Sequence, residues 1–160
     1  RAIGLTRHAG QRDFLRARAA LAGSSGAMQA EALRSVGLAE EVLSTPIGSM
    51  SGGQFQRLLI AFALLGQPNV LLLDEPAAGI DAPGQAQLNE VIQRLQETRA
   101  MTVLLVSHDL SVVYQYADYV LCLGRHGSCF GPPPPALTPE MLYEVDGQPL
   151  RFHVHDHPHS

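Results

Sequence analysis

Apolar residues recur at three- and four-residue spacing in "RDFLRARAAL" and in "MQAEALRSVGL", the period of helices that bury one face. This spacing predicts helix from Arg1 to about Leu43, with Gly23-Ser24-Ser25-Gly26 as an internal loop. A third helix is predicted from Gln54 to about Leu65, apolar on most faces and therefore buried. Gly66-Gln67-Pro68-Asn69 stops it. The pattern then loses its helical period: "VLLLD" is apolar up to its last position, as expected of a parallel strand covered on both faces. An amphipathic helix follows from Pro83 to Arg99, with Pro83 tolerated in its first turn. "TVLLVS" is a second buried strand, Asp109 to Ala117 a short helix and "YVLCLG" a third strand.

Gly124-Arg125-His126-Gly127 reads as a hairpin turn into "SCFG". Pro132 to Pro135 reads as a stiff linker. Thr138-Pro139-Glu140 starts a further short helix, with Thr138 as its cap. The polar end, "FHVHDHPHS", is expected to be loose. A helical start followed by strand, helix and strand implies an α/β layer carrying a helical subdomain.

Composition changes this picture in few places. The 160 residues, 46% hydrophobic and 16% charged, suffice for one domain with a core and argue against disorder. A net charge of −4 gives no reason to expect nucleic-acid binding. No apolar run reaches the roughly 20 residues of a membrane-spanning helix. The two cysteines, Cys122 and Cys129, make no disulfide scaffold, and a reducing compartment is the default. They read as two small buried hydrophobes facing across the hairpin, with a soft metal site including His126 as the alternative. All eleven basic residues are arginine.

Ser51-Gly52-Gly53-Gln54 has the form of a capping box at the start of the third helix. Its glycines let another molecule approach the backbone, and its free amides and helix dipole attract phosphate. Asp74 and Glu75 follow an apolar strand, at the end where open α/β sheets bind ligands. "MSGGQFQR", "VLLLDEP", "GID" and "SHD" succeed one another in that order. The succession resembles the ATP-binding-cassette ATPases: signature loop, Walker B strand, D-loop and switch histidine, over about Ser49 to Gly131. Met50 departs from the usual leucine but keeps an apolar residue there.

The resemblance implies a partial P-loop NTPase fold. Residues 1–49 would be a partial helical subdomain, 50–131 the signature helix and C-terminal half of a RecA-like core, and 132–160 a proline-rich linker with a histidine-rich extension. It implies that Asp74 holds the magnesium shell through water, and that Glu75 orients and deprotonates the attacking water. His108 would contact the γ-phosphate and that water, and Asp81 would lie at a dimer seam. Two such domains pair head to tail in this family. Ser51, Gly52, Gly53 and Gln54 would then face an ATP held by the partner, while Gln56 and Arg57 brace the signature helix. Separate transmembrane permease subunits are the other expected partners, and the expected place is the cytoplasmic face of a membrane.

A P-loop requires G-x-x-x-x-G-K-[ST], and a chain without lysine contains none. The adenine-stacking aromatic and glutamine loop are missing too. The chain is therefore expected to begin just after that glutamine loop and to be inactive alone. "AAGID", the "LCLGRHGSCFG" hairpin and the histidine-rich end resemble ATPase subunits of zinc and manganese importers, zinc first. His153, His155, His157 and His159 alternate and could share one face for Zn²⁺. Two other classes compete: the C-terminal lobe of a DNA-repair or chromosome-maintenance ATPase, and a non-catalytic metal-binding regulatory remnant.

Overall fold

Three five-residue segments form one parallel sheet in the order β1-β2-β3: β1 (Ala2–Thr6), β2 (Val70–Asp74) and β3 (Thr102–Val106). The structure, a computed structural model, describes residues 2–6, 11–99, 101–124, 126–140 and 143. The register sets Asp74 opposite Thr6 on one side and Val106 on the other. The two strand-to-strand crossovers carry the helices. β1 corrects the expectation of helix from Arg1. "AIGLT" holds a glycine and two β-branched residues, all weak helix formers, and a parallel neighbour satisfies its backbone.

The first crossover contains α1 (Gln11–Gly23), α2 (Gly26–Ser35), two short 3₁₀ turns at Glu40–Ser44 and Ile47–Ser49, and α3 (Gly52–Leu64). The second contains α4 (Ala82–Arg99). Their apolar stripes meet in one core: Phe14 and Leu21 of α1, Leu33 of α2, Leu58 and Leu59 of α3, Leu71 and Leu73 of β2, and Leu88 and Leu95 of α4. Each such side chain contributes about 1.5–3 kcal/mol through burial. Phe14 stacks on Phe55 with ring centres 5.8 Å apart, and the Arg18 guanidinium lies over Phe14. The helices from the two crossovers are also tied by Arg99, which donates to Glu31 and to the Ser35 hydroxyl at 2.8 Å.

Coverage of the sheet is one-sided, against the expectation of strands buried on both faces. Leu71 and Leu73 are sealed under α3 and α4, whereas Leu72, Leu104 and Val106 are 38%, 53% and 51% exposed. Alternation along a strand sends these residues to the opposite face, and no described helix covers it.

Residues Asp109–Ser160 form a second compact unit. It contains α5 (Leu110–Tyr116), β4 (Val120–Leu123), β5 (Ser128–Gly131) and α6 (Pro133–Ala136). Asp109 caps α5 by accepting from the Ser111 amide at 2.9 Å. β4 and β5 form the expected hairpin, closed where the Gly124 amide donates to the Gly127 carbonyl. The register places Cys122 opposite Cys129 with Cα atoms 4.8 Å apart, and a disulfide joins them, in place of the free thiols expected.

The proline run is also not a linker. Pro133–Ala136 is a helical turn, and Pro133 and Ala136 are buried in this unit. Prolines fit there because first-turn amides have no intrahelical acceptor to lose. Residues 139–140 are helical, as expected of the segment after Thr138.

Candidate nucleotide-facing site

The start of α3 builds itself from four consecutive residues. Ser51 has extended backbone angles, its hydroxyl accepts from the Gln54 amide at 3.1 Å, and the Ser51 amide donates to Gln54 Oε1 at 3.0 Å. The capping box therefore forms as the sequence predicted. It occupies the Ser51 and Gln54 amides, so the Gly52 and Gly53 amides are the ones with no acceptor among the described residues. The Ser51 O–H and the Gln54 Nε2 hydrogens add side-chain donors to this end. The arrangement suits an anionic oxygen. Arg57 braces the helix, donating through Nε to the Gly53 carbonyl at 3.3 Å. Gln56 is buried, and its Nε2 has no acceptor among the described residues.

The glycines also serve a neighbour within the chain. A side chain begun at Gly52 would lie 3.4 Å from Ile80 Cγ1 and 3.5 Å from the Gly79 carbonyl. The loop 75–81 after β2 thus leans directly on the start of α3. Ile80 is buried there. Asp81 stands at the entrance of α4, where its Oδ1 accepts from the Gly84 amide at 3.3 Å. Gly84 permits this turn: a Cβ on it would fall 2.6 Å from Ile80 Cγ2 and 2.7 Å from Asp81 Oδ1.

The acidic pair is assembled from distant segments. β2 delivers Asp74 to the sheet rim, where its side chain is half-buried. Glu75 leaves the strand with φ +48°, a left-handed conformation that costs a non-glycine residue about 1–2 kcal/mol. Its amide donates to the Val106 carbonyl at 2.9 Å, which holds the turn against the end of β3. That end delivers His108, whose Nδ1 lies 2.8 Å from Glu75 Oε1. An ionised carboxylate only accepts, so Nδ1 carries the hydrogen in this contact. Glu75 is 16% exposed and His108 84% exposed, so the contact spans from the rim's shelter to solvent.

The structure thus brings Glu75 and His108 together, Asp74 beside them in sequence, and the Asp81 loop against Gly52. His153, His155, His157 and His159 lie outside the described residues. Among the described residues no group of three or more metal-ligating side chains forms, and no helix is long and apolar enough to cross a membrane. Sequence reasoning missed Ile80, Gly84 and Gln85. Ile80 within "GID" and the small Gly84 after it give a faint signal, and Gln85 gives none.

A family model described as ABC transporter matches residues 6–78. The chain belongs to the ATP-binding-cassette transporter family, with the α/β fold of its ATPases. Among its relatives, the zinc import ATP-binding protein ZnuC of Pseudomonas fluorescens Pf-5 is 43% identical over 134 residues, covering 81% of this chain and 51% of the relative. ZnuC of Pseudomonas aeruginosa UCBPP-PA14 is 45% identical, covering 81% and 49%. The chain spans about half the length of these curated relatives.

An inward-facing ABC transporter of metal-chelate type superposes with a TM-score of 0.70 at 26% identity, over 83% of this chain and 55% of that one. A dimeric ATP-binding cassette in a post-hydrolysis state with ADP and phosphate gives 0.54 at 25% identity, over 68% and 50%.

Proposed function

We propose that this chain is part of the ATP-hydrolysing subunit of a zinc or manganese importer, zinc first, at the cytoplasmic face of a membrane beside separate permease subunits. Ser51, Gly52, Gly53 and Gln54 serve a nucleotide held by the P-loop of a second subunit, in a head-to-tail dimer. The observation that carries this reading is the 2.8 Å Glu75–His108 contact at the rim of the parallel sheet. The zinc assignment rests on the names of the relatives.

Asp74 and Glu75 fit a magnesium-nucleotide site: two carboxylates at a strand end, one sheltered and hydrogen-bonded, one half-exposed. Asp74 would hold the ion through water. Bound Mg²⁺ supplies charge that polarises the terminal phosphate. Glu75 accepts the proton of the attacking water at its carboxylate, and the Nδ1–H of His108 fixes that carboxylate's orientation. Asp81 lies at the seam between subunits. At the opposite site, the Gly52 and Gly53 amides stabilise negative charge on the transferred group's oxygens. The histidine-rich end, with Zn²⁺ on His153, His155, His157 and His159, is a separate part of the reading, supported by composition only.

The purified chain alone is expected to release no phosphate from ATP, because it has no P-loop lysine. Mixed with the full-length P. aeruginosa relative, it is expected to associate only when ATP is present, and Gly52→Val is expected to abolish that association. Steady phosphate release by the chain alone, or association indifferent to ATP, sinks the reading.

A further inference from the structure

We propose that Gln85 is a positioning residue that fixes the loop 75–81, and through it the placement of the acidic strand end relative to the capped start of α3. The inference rests on the reading of that loop as part of the hydrolysis machinery.

The loop has little to hold it by itself. It turns through two left-handed residues, Glu75 at φ +48° and Gly79 at φ +75°. Its internal backbone bonds are two: Ala78 N–H to the Glu75 carbonyl at 3.1 Å and Ile80 N–H to the Ala77 carbonyl at 3.2 Å. Gln85, in the first turn of α4, reaches back across it. One side-chain amide donates to the Ile80 carbonyl at 2.8 Å and to the Ala77 carbonyl at 3.4 Å. A single NH₂ group with two hydrogens therefore spans both ends of the turn that carries Ala78 and Gly79.

Ile80 is the next link. It is buried, and it fills the space that a missing Cβ leaves at Gly52 and at Gly84. Where the Ile80 carbonyl is held, its side chain is held too, and with it the contact to the signature end of α3. Asp81 follows directly. Its cap on Gly84 depends on the same backbone. The core residues of α4, Leu88, Val91 and Leu95, lie further along the helix. Losing the Gln85 amide is therefore expected to loosen the loop while leaving the helix and sheet in place. The loop after β2 and the start of α3, distant in sequence, are linked through Ile80, whose main-chain carbonyl the Gln85 amide holds.

The test uses the intact chain and two variants, Gln85→Met, which keeps length without a donor, and Gln85→Lys, which returns donors. Amide hydrogen exchange at Ala78 and Ile80 is expected to be about tenfold faster in Gln85→Met, with β2 and the interior of α4 unchanged. Gln85→Lys is expected to restore most of the protection. Unchanged exchange at Ala78 and Ile80, uniform acceleration across Arg1–His108, or no recovery with lysine overturns the proposal.

Turnover by the P. aeruginosa relative mixed with each variant supplies the second readout. Gln85→Met is expected to lower kcat roughly tenfold at constant KM for ATP; a change confined to KM overturns the proposal. A wild-type chain that fails to associate refutes the functional reading instead, while the exchange result still decides the loop.

Discussion

The two ends of the candidate site are built in opposite ways. The start of α3 takes its shape from Ser51 to Gln54, residues in one unbroken stretch whose hydrogen bonds close on one another. The Glu75 end is assembled from three segments: β2 supplies the chain, β3 supplies the Val106 carbonyl, and the residue beyond β3 supplies His108. The first is a local motif that would form on any adequate helix. The second exists only when the sheet register is right, since a slip of one residue would send every side chain of β3 to the other face. The capped helix start is thus preorganised by local sequence alone, whereas the placement of the Glu75 carboxylate is preorganised by the tertiary fold.

That contrast is open to direct attack. The largest effect is expected at the assembled end. In a chimera joining the front half of the P. aeruginosa relative to this chain, Glu75→Gln should lower phosphate release by about 10²–10⁴-fold with ATP affinity retained. Near-normal turnover would remove Glu75 from its assigned role. Next comes Gly84→Ala, whose new methyl would press on Ile80 and Asp81. Chemical denaturation should show a loss of about 1–3 kcal/mol, with NMR shift changes reaching Gly52; a silent substitution would show that the loop does not transmit.

Ser51→Ala should remove about 1 kcal/mol through the lost cap. Its faster amide exchange should be confined to the first turn of α3, and spread into β2 would show that this end is not local after all. The smallest effect is expected from Arg99→Ala, which breaks the partly exposed pair with Glu31. A loss of about 0.5 kcal/mol that shrinks in salt should be measurable by denaturation.

The same contrast explains what could be read in advance. The capping box, the helical periods of α1 to α4 and the hairpin turn are short-range patterns, and each was legible. Ala2–Thr6 was not: five residues carry too little periodicity, and their strand character comes from a partner 68 positions away, where Ala2 pairs with Val70. Pro133–Ala136 misled for the reverse reason. A proline run signals extended chain, yet here it forms a turn in which Pro133 is buried and Ala136 packs with Cys129 and Leu137. Asp74, Glu75 and His108 were singled out by motif order, and the structure sets Glu75 beside His108. The Glu75–His108 contact follows from the parallel pairing of β2 with β3. Gln85 was invisible because its partners are main-chain carbonyls, which leave no trace in residue identity.

Glu75 occupies a backbone geometry that glycine adopts without steric objection. A directed-evolution campaign rewarding only heat resistance would therefore have a motive to replace the carboxylate to which the proposed function gives the proton-accepting role. Variants enriched at this position in such a screen should melt higher and do nothing, and a survey of stabilised descendants would show thermal fitness and turnover trading places at a single codon.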